Sequence, residues 1–167
     1  MTTEEITKYL NELNEELLRA DIKGEVSLFG GAVMCLAFKT RPATKDVDAI
    51  FQPTAEIRKA IKLIAQRHQL PEDWLNDGVK GYVVNHKTKV LFDLSNLQVL
   101  IPETDYLLAM KALAARGDTF DKEDVRVLID SLNLTTPDEV FAILEKYYPN
   151  ELVKPGTQYF IEGMFEK

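Results

Sequence analysis

The stretch Leu28-Phe29-Gly30-Gly31-Ala32-Val33-Met34-Cys35-Leu36-Ala37-Phe38-Lys39-Thr40-Arg41-Pro42-Ala43-Thr44-Lys45-Asp46-Val47-Asp48-Ala49-Ile50 decides how this chain folds. The residues before the glycines, Glu25 to Phe29, read as a short strand with apolar Val26 and Leu28. Gly30-Gly31 breaks that strand and opens Ala32 to Phe38, a run apolar on every side, which predicts a buried helix. Thr40-Arg41-Pro42 stops the helix, because proline disfavours helical backbone in the residue before it. From Asp46 to Phe51 the chain alternates polar and apolar, the period of a strand.

Working outward, Thr2 and Glu5 form a capping box, and Ile6, Leu10, Leu13 and Leu17 follow at helical spacing to about Ala20. Asp21 to Gly24 is a turn. Beyond the central stretch, Thr54 is placed to cap a helix with the stripe Ile57, Ile61 and Ile64, ending near His68. Pro71 to Tyr82 is loop-like. Val90 to Leu94 and Leu97 to Ile101 are two strands joined by Ser95-Asn96. After Pro102 every segment reads helical: Thr104 to Arg116, Asp121 to Leu132, a capped helix from Thr136-Pro137-Asp138-Glu139 to Tyr148, and an amphipathic tail from Thr157 to Phe165. This order predicts an α+β fold with a small mixed sheet and a helical C-terminal half. No repeat or Gly/Ser linker interrupts it, so residues 1–167 are expected to be one domain, with an α/β core to about residue 102.

With 46% hydrophobic residues, the 167-residue chain has enough apolar material for a core. Its 20 basic and 27 acidic residues leave a net charge of -7, which argues against gripping a nucleic-acid backbone by charge alone. A polyanionic substrate must meet a local basic patch, arrive with a metal, or be small. The single cysteine, Cys35, cannot form an intrachain disulfide and suits a reducing compartment. The longest uncharged run, Val26 to Phe38, has 13 residues, short of the ~20 that span a membrane. The start, Met1-Thr2-Thr3-Glu4-Glu5, lacks the basic n-region of a secretory signal. A cytoplasmic location with no membrane partner is expected.

The chemistry concentrates in the same central stretch. On a strand, Asp46 and Asp48 project to one side, with Thr44 just before them. Two carboxylates roughly 5–7 Å apart repel as bare anions and are suited to sharing a hard cation such as Mg²⁺. Gly30-Gly31 at a strand-to-helix junction lets backbone amides approach a phosphate. The alternative is plain: a water-facing edge strand and an ordinary glycine turn. Together, though, a phosphate cradle followed by a metal-binding pair is what nucleotidyl transfer requires. Lys111 stands out separately, as the only charge between Tyr106 and Ala115 and on the face of Leu107, Leu108 and Ala115. It must find an anion, snorkel to the edge, or lose its proton.

Phe29-Gly30-Gly31, a spacer of fourteen residues and Asp46-Val47-Asp48 resemble the motif of the nucleotidyltransferase superfamily with the DNA polymerase β-like minimal fold. Arg41-x-x-Thr44-x-Asp46-x-Asp48, followed by Lys111 with Arg116 and then Asp121 with Asp124, is most similar to the AbiEii toxin-type branch and its small stand-alone relatives. Asp73-Trp74-Leu75-Asn76-Asp77 is similar to a segment of those small members.

The resemblance implies transfer of a nucleoside monophosphate from an NTP with Mg²⁺ or Mn²⁺. It implies Asp46 and Asp48 as metal ligands, and a nucleotide site of Gly30, Gly31, Arg41, Thr44, Asp121 and Asp124. Lys111 would steady the triphosphate charge. The acceptor would be an RNA 3′ end, a protein or a small molecule.

The chain departs from the pattern in two places. Gly31 stands where many members carry serine. The third carboxylate falls to Asp93, which could equally be an exposed strand residue. The second reading is therefore a catalytically silent module, binding or regulating a partner in a toxin–antitoxin or phage-defence system. Asp121 and Asp124 also suit a helix N-cap and first turn, and Arg41 could be an ordinary solvated arginine. His68 and His86 lack companions at zinc-ligand spacing. Cys35 reads as inert core, Trp74 as a loop anchor, and the C-terminal tyrosines and phenylalanines as core or a homodimer surface.

Overall fold

The computed structural model describes residues 1–115 and 119–166, which form two compact units. The first comprises residues 1–83 and 88–102, the second residues 84–87 and 103–167. The architecture is α+β, with helices and one five-stranded mixed sheet.

The first unit holds helix α1 (Thr3–Arg19), strand β1 (Gly24–Phe29), a short helix α2 (Gly30–Val33) that widens into a π-helical turn over Met34–Phe38, and β2 (Val47–Gln52). Helix α3 (Thr54–His68), the two-residue strand β3 (Leu75–Asn76), a 3-10 turn (Gly78–Gly81), β4 (Thr88–Asp93) and β5 (Leu97–Pro102) complete it. The sheet order is β3-β2-β1-β5-β4. Strand β1 pairs antiparallel with β2 and parallel with β5, while β3 runs parallel to β2 and β4 antiparallel to β5.

Alternation sets the faces. Val26 lies opposite Phe51 and Val99, and Leu28 opposite Ala49; these five are buried. The side chains between them, Glu25, Ser27 and Phe29, share the other face with Gln52, Ile50 and Asp48. The apolar stripe of α1 (Ile6, Leu10, Leu13, Leu17) and that of α3 (Ile57, Ile61, Ile64) are buried, α1 against α3 and β5, and α3 also against β2. Each such side chain taken out of water stabilises the fold by about 1.5–3 kcal/mol before entropy is counted. The Thr2–Glu5 capping box forms as expected.

Several boundaries differ from the sequence reading. Pro53, not Thr54, occupies the N-cap of α3; Thr54 is the first helical residue, and its hydroxyl donates to the Phe51 carbonyl at 3.3 Å. The helix after the glycines starts at Gly30 itself and loosens to π spacing before Lys39 ends it in the left-handed region. Strand β2 begins at Val47, so Asp46 lies in the bend ahead of it. Its partner strand stops at Phe29, opposite Asp48, because Gly30 at φ 62° turns the chain away. Within the segment read as a loop, Trp74 is buried and its indole N–H donates to the Ile61 carbonyl at 3.0 Å, which positions Leu75 and Asn76 against β2.

The second unit holds α4 (Thr104–Ala114), α5 (Thr119–Ser131), α6 (Pro137–Tyr147) and α7 (Pro155–Gly163). Thr136 and Glu139 make the expected capping box on α6. Residues 84–87 belong here because the Tyr106 hydroxyl accepts from the Val84 amide at 3.0 Å and His86 stacks on the Tyr106 ring at 4.1 Å. Tyr106 and Tyr148 share a hydroxyl–hydroxyl bond of 2.8 Å. Arg116 lies outside the described residues.

Candidate functional site

The site is built on the backbone of Gly30 and Gly31. A Cβ added to Gly30 would stand 3.0 Å from Oδ2 of Asp48, and one added to Gly31 would stand 2.5 Å from Oγ1 of Thr44 and 2.9 Å from Nη1 of Arg41. Glycine is required at both positions for different reasons. At 30 the positive φ strains any residue with a Cβ; at 31 the space is already taken by a hydroxyl and a guanidinium. The cross-strand pairing of Phe29 with Asp48 delivers the carboxylate to Gly30. The loop after Lys39 delivers the other two groups.

That loop is held at several points. The Thr44 amide donates to the Met1 carbonyl at 2.9 Å, Ala43 forms a bridge with Thr2, and the Thr44 hydroxyl donates to the Asp46 carbonyl at 3.3 Å. Asp48, Thr44 and Arg41, which the sequence offers as parts of one Arg41-x-x-Thr44-x-Asp46-x-Asp48 motif, converge on one dipeptide. Asp46 is half-buried in the bend beside them. Strand alternation no longer assigns its direction, since it precedes the first paired residue of β2.

Asp93 is elsewhere. It is exposed and pairs with Gln98, which pairs with Glu25, which pairs with Gln52. That row lies four residues along β1 from Phe29, and β4 lies three strands from β2. Asp93 is therefore displaced from Asp48 by roughly 13 Å along the strands and about 14 Å across them, too far to share an ion. It lines instead a polar hollow of about 620 Å³ with Lys23, Glu25, Gln52 and Gln98. On β5, the positions that share Asp48's face are Gln98, Leu100 and Pro102, none of them acidic.

Among the described residues, no three His, Cys, Asp or Glu side chains are grouped so as to hold an ion. A cation at Asp48 and Asp46 would complete its shell with phosphate and water oxygens, which is the habit of Mg²⁺. The oxygen-only donors fit that ion or Mn²⁺.

Within the second unit, Lys111 on α4 finds its anion in Asp124 on α5, Nζ to Oδ2 at 2.8 Å, with both side chains largely buried. Asp124 is therefore an ion-pair partner inside α5. It does not cap the helix, because α5 starts at Thr119, two residues earlier than the sequence suggests. Asp121 sits in the first turn of α5, where the helix dipole favours a carboxylate.

Another charged cluster escaped the sequence reading. Glu12 on α1 accepts from Arg67 at 2.6 Å and meets His68 Nε2 at 2.7 Å, with the Tyr9 ring 5.0 Å from the imidazole. Burial pushes the Glu12 carboxyl up, but the His68 and Arg67 hydrogen bonds outweigh it and hold the group below the ordinary glutamate range. Glu12 and Arg67 are 55 residues apart, and only the packing of α1 on α3 joins them.

No helix among the described residues is long and apolar enough to cross a membrane. Compared with protein-family models, curated proteins and solved structures, the chain has no significant match in any of the three.

Proposed function

We propose that this chain is a nucleotidyltransferase that moves a nucleoside monophosphate from an NTP to an acceptor with Mg²⁺ or Mn²⁺. The observation that carries the reading is the convergence of Asp48, Thr44 and Arg41 on the Gly30-Gly31 backbone. A carboxylate, a hydroxyl and a guanidinium around close-approach glycines are the groups that phosphate and a hard cation need. A bound divalent metal supplies charge neutralisation and polarisation at the α-phosphate. Asp48 and Asp46 would hold it. Arg41, with its planar fork of donors, takes a phosphate oxygen pair, and Thr44 adds a hydroxyl where Gly31 has none. The Lys111 ammonium is engaged by Asp124, and that pair is assigned to positioning α4 and α5. The acceptor is an RNA 3′ end, a protein or a small molecule, reached in a cytoplasmic setting.

A second reading has its own support. The space at Gly31 is filled by Thr44 and Arg41, and Asp93 is too distant to serve as third carboxylate. Both favour a silent module that binds or regulates a partner in a toxin–antitoxin or defence system. Incubation with each labelled NTP, Mg²⁺ or Mn²⁺ and total tRNA separates the two. Label transfer lost in Asp46→Ala and in Asp48→Ala supports the enzyme. Absence of metal-dependent nucleotide binding by calorimetry supports the module.

A further inference from the structure

Strand β3 brings one more side chain to Asp48. Asn76 is its in-register partner on β3, one strand spacing of about 4.8 Å away, and paired neighbours project to the same face of a sheet. Asp48 therefore lies between Phe29 of β1 and Asn76 of β3. Both Asp48 and Asn76 are half-buried. The short strand is fixed on either side of Asn76: the Val47 amide donates to the Trp74 carbonyl at 2.8 Å, and Asp77 pairs with Arg58 on α3 at 2.9 Å.

The Asn76 carboxamide is oriented by its own turn. Its Oδ1 accepts from the Gly78 amide at 3.1 Å, and its Nδ2 donates to the Asp73 carbonyl at 3.1 Å. A carboxamide carries two N–H groups, and Asn76 makes no further hydrogen bond among the described residues. One N–H is left to give. The turn at Gly78 needs only the side-chain oxygen, which aspartate supplies equally, but a carboxylate there would set a like charge beside Asp48. What asparagine adds at this position is a neutral donor. Resting on the nucleotide reading above, we propose that Asn76 is a further nucleotide-binding residue: its remaining N–H donates to a phosphate oxygen on the cation at Asp48. A donor without negative charge leaves the ion with few protein carboxylates and the phosphates to complete its shell, the usual arrangement for Mg²⁺. Ion and triphosphate then enter together.

Calorimetry on the full chain, with Mn²⁺ alone and with a non-hydrolysable NTP at saturating Mn²⁺, tests it. Asn76→Asp keeps the oxygen that the Gly78 amide needs, so circular dichroism should be unchanged. This variant should bind Mn²⁺ alone at least about fivefold more tightly, because the charge count of an oxygen site tunes its affinity. It should bind the nucleotide at least about threefold more weakly, because a carboxylate repels phosphate and cannot donate. Asn76→Ser removes the N–H without adding charge, its hydroxyl still able to accept from Gly78, and should weaken the nucleotide only. Gln52→Glu adds the same charge on the same face, roughly 13 Å along β2, and should match the wild type within about twofold in both titrations. Mn²⁺ affinity unmoved by Asn76→Asp, or nucleotide affinity unmoved by either change at position 76, would overturn the proposal and leave the nucleotide reading in place. A wild type with no metal-dependent nucleotide binding would overturn both.

Discussion

The ammonium of Lys111 and the carboxylate of Asp124 meet at 2.8 Å with their side chains only 13% and 2% exposed. Removing one member strands the other in an apolar setting, which costs about 3–5 kcal/mol, whereas replacing both with apolar residues of similar size is often close to neutral. Asp124→Ala should therefore be severely destabilised in urea, and Lys111→Met with Asp124→Leu should recover most of the loss. Equal loss in the single and double variants would show that the pair is not what holds α4 to α5.

Gly31 and Thr44 make a second testable couple. With Oγ1 of Thr44 only 2.5 Å from where a Cβ would stand, Gly31→Ala forces the loop or the helix start to shift. Overpacking of this kind costs about 1–3 kcal/mol. Thr44→Ala removes the obstructing hydroxyl, so the two changes should be non-additive, with a coupling of about 0.5–3 kcal/mol in a double-mutant cycle. Additive effects would place the crowding elsewhere. Gly30→Ala should stay destabilised in either background, because its penalty comes from the φ of 62° as well as from Asp48.

Acid stability should report on Glu12. Its folded carboxyl titrates below the ordinary value of 4.5, held there by His68 and Arg67 against the opposing effect of burial. A depressed carboxyl contributes stability that is complete above the unfolded value and disappears as pH falls through the folded one. Asp105 behaves likewise: burial raises it, but bonds to Tyr147 and Lys146 and the Tyr106 amide lower it further. Thermal melts from pH 7 to pH 3 should show the wild type losing stability below about pH 4.5 more steeply than Glu12→Gln. Identical slopes would remove Glu12 from the account.

What the sequence made legible was local. Helical stripes, capping boxes at Thr2 and Thr136, and the strand–glycine–helix break at Gly30 follow from short-range periodicity and turn chemistry, and they locate the elements to within a few residues. Strand β3 was hidden because two residues carry no period. The start of β2 was missed for a tertiary reason: alternation ran on through Asp46, but pairing ended where Gly30 turned its partner away. For the site, the grouping of Gly30, Gly31, Arg41, Thr44 and Asp48 was readable from one motif, and the exclusion of Asp93 was not. Asp93 looked like any other carboxylate on a strand; only the register of β4 on β5 and β5 on β1 shows that it belongs to the far end of the sheet. Lys111 advertised its need for an anion, yet nothing at a distance of 13 residues in sequence announced Asp124 as the one.

That register gives a sharp test of where a cation would bind. Asp48 and Asp93 are both strand carboxylates on one face of the same sheet, so a search guided by residue type alone treats them as equivalent. Geometry separates them. Calorimetric titration of Mn²⁺ with a non-hydrolysable NTP should lose at least about tenfold in affinity in Asp48→Asn, the loss expected when a charged ligand becomes neutral at unchanged size. Asp93→Asn removes the same charge roughly 19 Å away, beyond the ~8 Å screening length at physiological salt, and should leave the titration within about twofold of wild type. Arg41→Lys gives the third arm: it keeps the charge but loses the planar fork, so it should weaken nucleotide more than metal. If Asp93→Asn proves as damaging as Asp48→Asn, the cation does not sit at Gly30, and the convergence of Asp48, Thr44 and Arg41 is packing alone.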